Sequence, residues 1–405
     1  DKTRRGDRGE RKKTMDLIIK IASAVTERRN EEDKVDRLNF QYTSYAYVFA
    51  AALIMGKQFM GMPLVCWTPA EFKAGWIQYT HDYCLVENTY WVPMEDPSLP
   101  APAAREKMEL PYYQWVQFVL VLLAFCFMIP HFIWRSLNWT SGVQVRSIVE
   151  TCMKTMGKPA ERETTNKKIA GHIYHSFEAM KSIEHRHKFS CVQRMAHGQT
   201  ITLYYIAMKV LYIMNLIFQI TIIHVFLGHN PLAVFSEGVN SDWKKSGLFP
   251  RSTMCDFEVR TKGNINRYSV QCVLSLNMFN EKIFAVLFIW LCLLLCITIA
   301  NSLHWIMAIY SVSNRRNLAV RMLKSQGIDQ NTLHLDRSSE FDDSLKKGEQ
   351  KALIEHESNA FEQFVELTPD QATVIRLIAA NAGEIVASGV VKELYNVFNQ
   401  RELDN

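Results

Sequence analysis

Four long apolar stretches constrain this chain more than any other feature of its sequence. Each holds about 20 or more mostly uncharged residues, the length that an α-helix needs to cross the hydrocarbon core of a bilayer. The stretches cover residues 42–64, 114–135, 201–227 and 283–312. Buried helices of a soluble protein are the alternative, but polar segments separate the four stretches. We therefore predict an all-α membrane protein with a four-transmembrane-helix bundle.

Overall composition conceals this division into apolar and polar blocks. Hydrophobic residues make up 48% of the 405 residues, and the mean hydropathy is −0.08. The formal net charge of +5 is too small to indicate a nucleic-acid partner, and no basic helix is interleaved with aromatic residues. A cleavable signal peptide is not expected, because the first apolar run is short and is interrupted by Lys20.

The distribution of basic residues predicts the orientation, since cytoplasmic loops carry an excess of Lys and Arg. Residues 136–200 hold ten basic and five acidic residues, whereas residues 65–113 hold three basic and seven acidic. Arg315, Arg316, Arg321 and Lys324 follow the last stretch without an acidic residue among them. The expected cytoplasmic parts are an N-terminal segment (1–41), a central loop (136–200) and a helical C-terminal region (313–405). The expected extracellular loops are residues 65–113 and 228–282.

The nine cysteines separate by compartment once this orientation is assumed. Cys66 and Cys84 lie in the first extracellular loop, and Cys255 and Cys272 lie in the second, where disulfides persist. Four cysteines allow three pairings, and spacing alone does not choose among them. A zinc site is the weaker alternative, because the short paired ligand spacing is absent. We expect reduced or buried thiols at the other five positions, which are Cys126, Cys152, Cys191, Cys292 and Cys296.

Polar residues within the apolar stretches suggest helix faces that line water. A lysine at the bilayer centre costs about 3 kcal/mol on insertion scales unless it meets a partner or a wet cavity. Lys57 is placed to extend its amine to the nearby interface, and Lys209 to hydrogen-bond within the bundle; Asn215 and Gln219 share the third stretch.

Six aromatic residues of the first loop form either a recognition surface or a small core. These are Trp67, Trp76, Tyr79, Tyr83, Tyr90 and Trp91.

The second apolar stretch opens on a YYQWV motif, formed by Tyr112, Tyr113, Gln114, Trp115 and Val116. This motif resembles the signature that opens the second span of innexins, the subunits of invertebrate gap junction channels. Further matching segments are residues 36–39, 42–43, 57–59, 61–63, 66–67 and 88–93, and the resemblance covers residues 36–316. Two cysteines in each extracellular loop also agree with innexins, whereas connexins carry three.

The resemblance implies a large-pore channel that passes ions and small molecules. Subunits of such channels form a ring in the membrane, an octamer in family members of known architecture, and two rings dock between adjacent cells. The implied disulfides are Cys66–Cys272 and Cys84–Cys255. The N-terminal segment would fold into the pore mouth, which makes Met15, Leu17 and Ile18 candidate pore residues, and Lys57 is a further candidate.

Two other functions remain open at this point. One is an undocked plasma-membrane hemichannel that releases small metabolites, although the only glycosylation sequon, at Asn138, lies on the expected cytoplasmic side and weakly favours docking. The other is a non-conducting junctional adhesion protein. An enzyme is not expected, because no nucleophile constellation, phosphate loop or paired carboxylates appear. The histidines do not form the repeated clusters of a membrane di-iron site, so no metal or other cofactor is expected.

The C-terminal region carries a local signal for the start of a helix. Thr368, Pro369 and Gln371 have the form of a capping box with proline at the first helical position. Apolar residues then recur at helical intervals through Phe398, which predicts one helix that packs in a cytoplasmic domain.

Overall fold

The computed structural model describes residues 32–93, 98–140, 142–186, 199–227, 247, 249–328 and 359–404. Its longer helices are α1 (Ser44–Met60), α2 (Ala74–Glu87), α3 (Val116–Thr140), α4 (Val145–Lys154), α5 (Pro159–Arg186), α6 (Thr200–Leu227), α7 (Leu276–Tyr310), α8 (Val312–Lys324), α9 (Pro369–Ala382) and α10 (Glu384–Asp404). Its strands are β1 (Leu64–Trp67), β2 (Ser252–Thr261) and β3 (Asn264–Leu274). The chain divides into two compact units, residues 38–140 with 200–310, and residues 1–37 with 141–199 and 311–405.

The first unit is built on a four-helix bundle in which α1 packs on α3, α3 on α6, α6 on α7, and α7 on α1. Tyr47, Phe127, Leu216 and Phe284 are among the side chains that fill its core. Many apolar residues on the other faces of these helices are exposed in the single chain. Helices that are apolar all round belong in a membrane or against other subunits.

Three of these helices are long and apolar enough to cross a membrane. They cover Val116–Asn138, Thr200–Phe226 and Leu276–Tyr310. The stretch at residues 42–64 is different, because α1 has only 17 residues and follows a six-residue π-helix, Leu38–Thr43. Helix α1 ends at Met60, since Gly61 is extended and Pro63 cannot continue the hydrogen-bond ladder.

Other helix bounds differ from the apolar stretches. Helix α3 continues to Thr140, beyond position 135, and α7 begins at Leu276, seven residues before position 283. The early turns of α7 are polar but buried, and Asn277 donates a hydrogen bond of 2.8 Å to the carbonyl oxygen of Pro250. Hydropathy alone therefore places the start of this helix too late.

The structure also contains a three-stranded antiparallel sheet with the order β1-β3-β2. Strand β1 precedes α2 in the chain, and strands β2 and β3 precede α7. The chain is mostly helical, as predicted, but the all-α fold class is wrong in leaving this sheet out. Strands β2 and β3 are connected by Lys262 and Gly263, whose positive φ angles of 49° and 87° are typical of a tight hairpin turn. Alternate residues of β2, Thr253, Cys255 and Phe257, are buried.

The second unit, which we call the helical domain, contains α4, α5, α8, a short helix at residues 359–365, α9 and α10. The capping box at the start of α9 is confirmed, with hydrogen bonds in both directions between Thr368 and Gln371. The prediction of a single helix through Phe398 is wrong. Gly383 has a φ of 88° and ends α9, so α10 is a separate helix.

Candidate functional site: a disulfide-linked domain on the helical bundle

Two disulfides connect β1 and α2 to the β2–β3 hairpin. Cys66 lies directly opposite Cys272 across the β1–β3 pair, and the two are bonded. Cys84, on the last turn of α2, is bonded to Cys255 of β2. This is the pairing that the family resemblance implies. We call residues 64–93, 98–113 and 249–275 the disulfide domain.

The sulfur atoms form the centre of a small core. The Sγ atoms of Cys66, Cys84 and Cys272 lie within 4.8 Å of one another, and all three residues are buried. Because metal ions bind thiolates and these sulfurs are in disulfides, the cluster is a structural core rather than a metal centre. Phe257 and Leu274 pack against it. The two disulfides and this core join two distant parts of the sequence into one rigid body.

Two residues of the YYQWV motif cap the C-terminal end of α2. The last carbonyl groups of any helix lack partners within the helix. The side-chain amide of Gln114 donates to the carbonyl oxygens of Leu85 (2.8 Å) and Val86 (2.9 Å), and the Tyr113 hydroxyl donates to that of Cys84 (3.3 Å). The motif therefore holds the helix that carries Cys84, although it lies almost 30 residues later in the chain.

The other motif residues connect the disulfide domain to the bundle. The Tyr112 ring packs edge-on against Phe226 and Phe249 of the bundle core, and Tyr112 also packs against the disulfide core. Val116 is fully buried at the start of α3, whereas the Trp115 side chain is exposed. An exposed tryptophan at the end of an apolar helix is typical of a membrane–water interface.

An ion pair that the sequence analysis missed supports the edge of this domain. Asp256 of β2 accepts hydrogen bonds from the Tyr90 hydroxyl (3.0 Å) and from the Arg105 guanidinium (2.6 Å). Backbone hydrogen bonds between Tyr90 and Met254 add Tyr90 to the sheet. Burial, and then the Asp256 carboxylate, raise the pKa of Tyr90 to about 12. No sequence pattern indicated this pair, because Arg105 and Asp256 are 151 residues apart.

Five of the six aromatic residues of the first loop divide between the two roles considered, and Trp91 is half-buried. Tyr90 is buried and Tyr83 packs against Phe257, so these two belong to the core. Trp67, Trp76 and Tyr79 are exposed by 83%, 55% and 50%. The disulfide domain thus presents three large aromatic side chains on a rigid support, as recognition surfaces do.

The polar residues of the bundle are mostly buried among its helices. Lys209 is 1% exposed, and its Nζ lies 4.8 Å from the centre of the Tyr205 ring and 5.3 Å from that of Trp305. Gln219 donates a hydrogen bond of 3.0 Å to the carbonyl oxygen of Leu123 on α3. In the single chain neither residue lines a water-filled face. Asn215 is half-buried.

The candidate pore residues are only partly covered by the structure. Lys57 is half-buried on the last turn of α1, next to the disulfide domain. Met15, Leu17 and Ile18 lie outside the described residues, as does Cys191. Of the remaining cysteines, Cys152 is buried in the helical domain, and burial raises the pKa of its thiol to about 12.

Comparison with known proteins gives one consistent family. The family model described as Innexin matches residues 32–398 of the chain. The chain is 34% identical to Innexin unc-9 of Caenorhabditis elegans over 394 residues, covering 94% of this chain and 96% of that protein. It is also 34% identical to Innexin eat-5 of the same organism over 399 residues, with 96% and 92% covered. Identity to Innexin-12 is 33% over 407 residues.

Proposed function

This chain belongs to the innexin family, and we propose that it forms a gap junction channel with copies of itself or close relatives. Such a channel is not an enzyme, and it passes ions and small molecules without an energy source. The single observation that carries the proposal is the disulfide domain. A rigid body with three exposed aromatic side chains at one end of a helical bundle is suited to docking against an identical body on the next cell.

The proposed topology has four spans with both termini in the cytoplasm. The first span would be α1 with its preceding π-helix, because 17 residues reach about 25 Å and lie at the short limit for a spanning helix. The disulfide domain would then be extracellular, where its two disulfides are stable. The excess of basic residues in residues 136–200 supports the same orientation.

Assembly and the pore are proposed from the family alone. The extensive exposed apolar surface of the bundle supports contact with lipid and with neighbouring subunits. An octamer is the expected ring. Met15, Leu17, Ile18 and Lys57 are the proposed pore-associated residues.

Electrical recording from paired cells tests this function. Expression of the chain in both cells should give junctional current and dye transfer, because docked rings join the two cytoplasms. Current in single cells without junctional current would favour an undocked hemichannel. Surface protein with neither current would contradict a homomeric channel and favour an adhesion role or an obligate partner subunit.

The disulfides allow a sharper version of the same experiment. Cys66→Ser and Cys255→Ser should each abolish junctional current, because each substitution breaks one link between the two halves of the domain. Cys296→Ser is the matched control, since that cysteine is exposed on α7 and forms no disulfide. Normal coupling by the Cys66 and Cys255 variants, with the protein at the cell surface, would contradict the proposed role of the domain.

A further inference from the structure

Helix α8 is strongly basic and follows the last membrane helix directly. Arg315, Arg316, Arg321 and Lys324 lie on this 13-residue helix, which has no acidic residue. Only Ser311 separates it from α7. The backbone of Arg316 therefore lies within about 15 Å of the end of α7, whatever angle the two helices make.

One face of α8 is buried and the other is charged. Leu318, Ala319, Met322 and Leu323 pack inside the helical domain. Arg316 and Arg321 lie at the two edges of the exposed side, about 140° apart around the helix. Their side chains are 52% and 64% exposed. The helix thus has an apolar side that anchors it and a basic side that remains accessible.

The partners of the exposed arginines come from other parts of the helical domain. Arg316 bonds to both carboxylate oxygens of Glu362, at 3.0 and 2.7 Å, and Arg321 to Glu384 at 3.0 Å. Both glutamates are themselves exposed, at 40% and 69%. Ion pairs between exposed side chains change an equilibrium by less than about fivefold, so other anions can compete with them.

A further positive charge lies close to Arg321. Burial, and then the charge of Arg321, lower the pKa of Arg376 on α9. Two arginines near enough to repel each other make an anion at this position more favourable. Basic residues next to a membrane helix each favour association with an anionic bilayer by about fivefold, at least as much as an exposed ion pair contributes.

We propose that the exposed basic face of α8 binds anionic phospholipid headgroups of the cytoplasmic leaflet, in competition with Glu362 and Glu384. The proposal rests on the orientation given under the proposed function. Lipid binding would release the ion pairs that link α8 to the segment at residues 359–365 and to α10. The lipid composition of the membrane would in this way change the stability of the helical domain.

The test uses the full chain in lipid nanodiscs of phosphatidylcholine with a rising fraction of phosphatidylserine. Hydrogen exchange is measured at residues 312–324 and 359–365. Phosphatidylserine should slow exchange in the first segment and speed it in the second. Arg316→Gln with Arg321→Gln should weaken this response about 20-fold, because two basic contacts are lost. Glu362→Gln with Glu384→Gln should strengthen it severalfold, since the competing carboxylates are gone.

Arg401→Gln is the matched control. Arg401 also pairs with an exposed glutamate of the helical domain, Glu178 at 3.3 Å, but lies on α10. The change in hydrogen exchange that phosphatidylserine causes in the Arg401→Gln variant should equal that in the wild type. If the double arginine variant does not fold, the double glutamate variant and a sodium chloride titration of the wild type decide the matter.

The proposal is wrong if phosphatidylserine has no effect on the wild type, or if the double arginine variant responds as the wild type does. A response to soluble phosphate in pure phosphatidylcholine that matches the response to phosphatidylserine would also overturn it. Nanodiscs hold undocked rings, so a negative result in this test would not contradict the proposed junctional channel. Absence of current between paired cells would likewise not contradict the proposed lipid binding.

Discussion

Gln114 is one of two motif residues whose side chains hold the C-terminal end of α2. Its amide donates hydrogen bonds to two terminal carbonyl groups of α2 and to the Asn88 side chain, at 2.8 to 3.1 Å. Residues 85–88 follow directly after Cys84, so the amide holds the chain next to a disulfide. Conservative replacement by a residue of similar size would not preserve these bonds unless it were also a donor.

We expect Gln114→Ala to destabilise the disulfide domain by about 2 kcal/mol, because it removes the donor to the Val86 carbonyl and to the Asn88 side chain and one of two donors to the Leu85 carbonyl. The measurement is the rate at which dithiothreitol reduces Cys84–Cys255, followed by alkylation and mass spectrometry. Gln78→Ala is the control, since within the described part of the chain the Gln78 amide bonds to the exposed Asp82 on the same helix and to no carbonyl at the end of α2. Equal reduction rates in the two variants would contradict the capping role.

At the scale of elements, the sequence predicts the capping box correctly, but neither the sheet nor the break in the C-terminal helix at Gly383. Thr368 and Gln371 are three residues apart, so their capping box was visible. The β2–β3 sheet is not predicted, because the buried residues Thr253, Cys255 and Phe257 alternate with residues that include the apolar Met254. The sequence therefore lacks a clear two-residue period at this strand. The contacts of Gln114 with residues 85–88 and of Lys209 with Trp305 depend on the tertiary fold, and no local sequence pattern predicts them.

The capping box gives a prediction for the helical domain. Thr368→Ala should lower the free energy of unfolding of this domain by about 1 kcal/mol, because the Gln371 backbone N–H loses its acceptor. Hydrogen exchange of residues 369–382 measures the change. Thr151→Ala is the control within α4, where the threonine hydroxyl bonds only to a carbonyl of its own helix. Faster exchange in the control than in the Thr368 variant would contradict the expectation.

At the scale of the whole molecule, the proposed orientation places the β2–β3 turn and the C-terminal helix on opposite sides of the membrane. An epitope inserted between Lys262 and Gly263, at the exposed hairpin turn, should bind antibody on intact cells. The same epitope after Asn405 should bind only once the cells are permeabilised. Labelling of the C-terminal epitope on intact cells would contradict the proposed topology.

The distance between paired cysteines also has a consequence for how the protein is made. The partners are 206 and 171 residues apart, so Cys66 and Cys84 are synthesised well before Cys272 and Cys255. At about 5 to 20 residues per second, the first two cysteines wait on the order of 10 to 40 seconds for their partners. On the proposed orientation they wait in the secretory lumen without their native partners. A ribosome that stops early would therefore release a chain whose first two cysteines lack those partners, and lumenal quality control can recognise such a chain before any channel assembles.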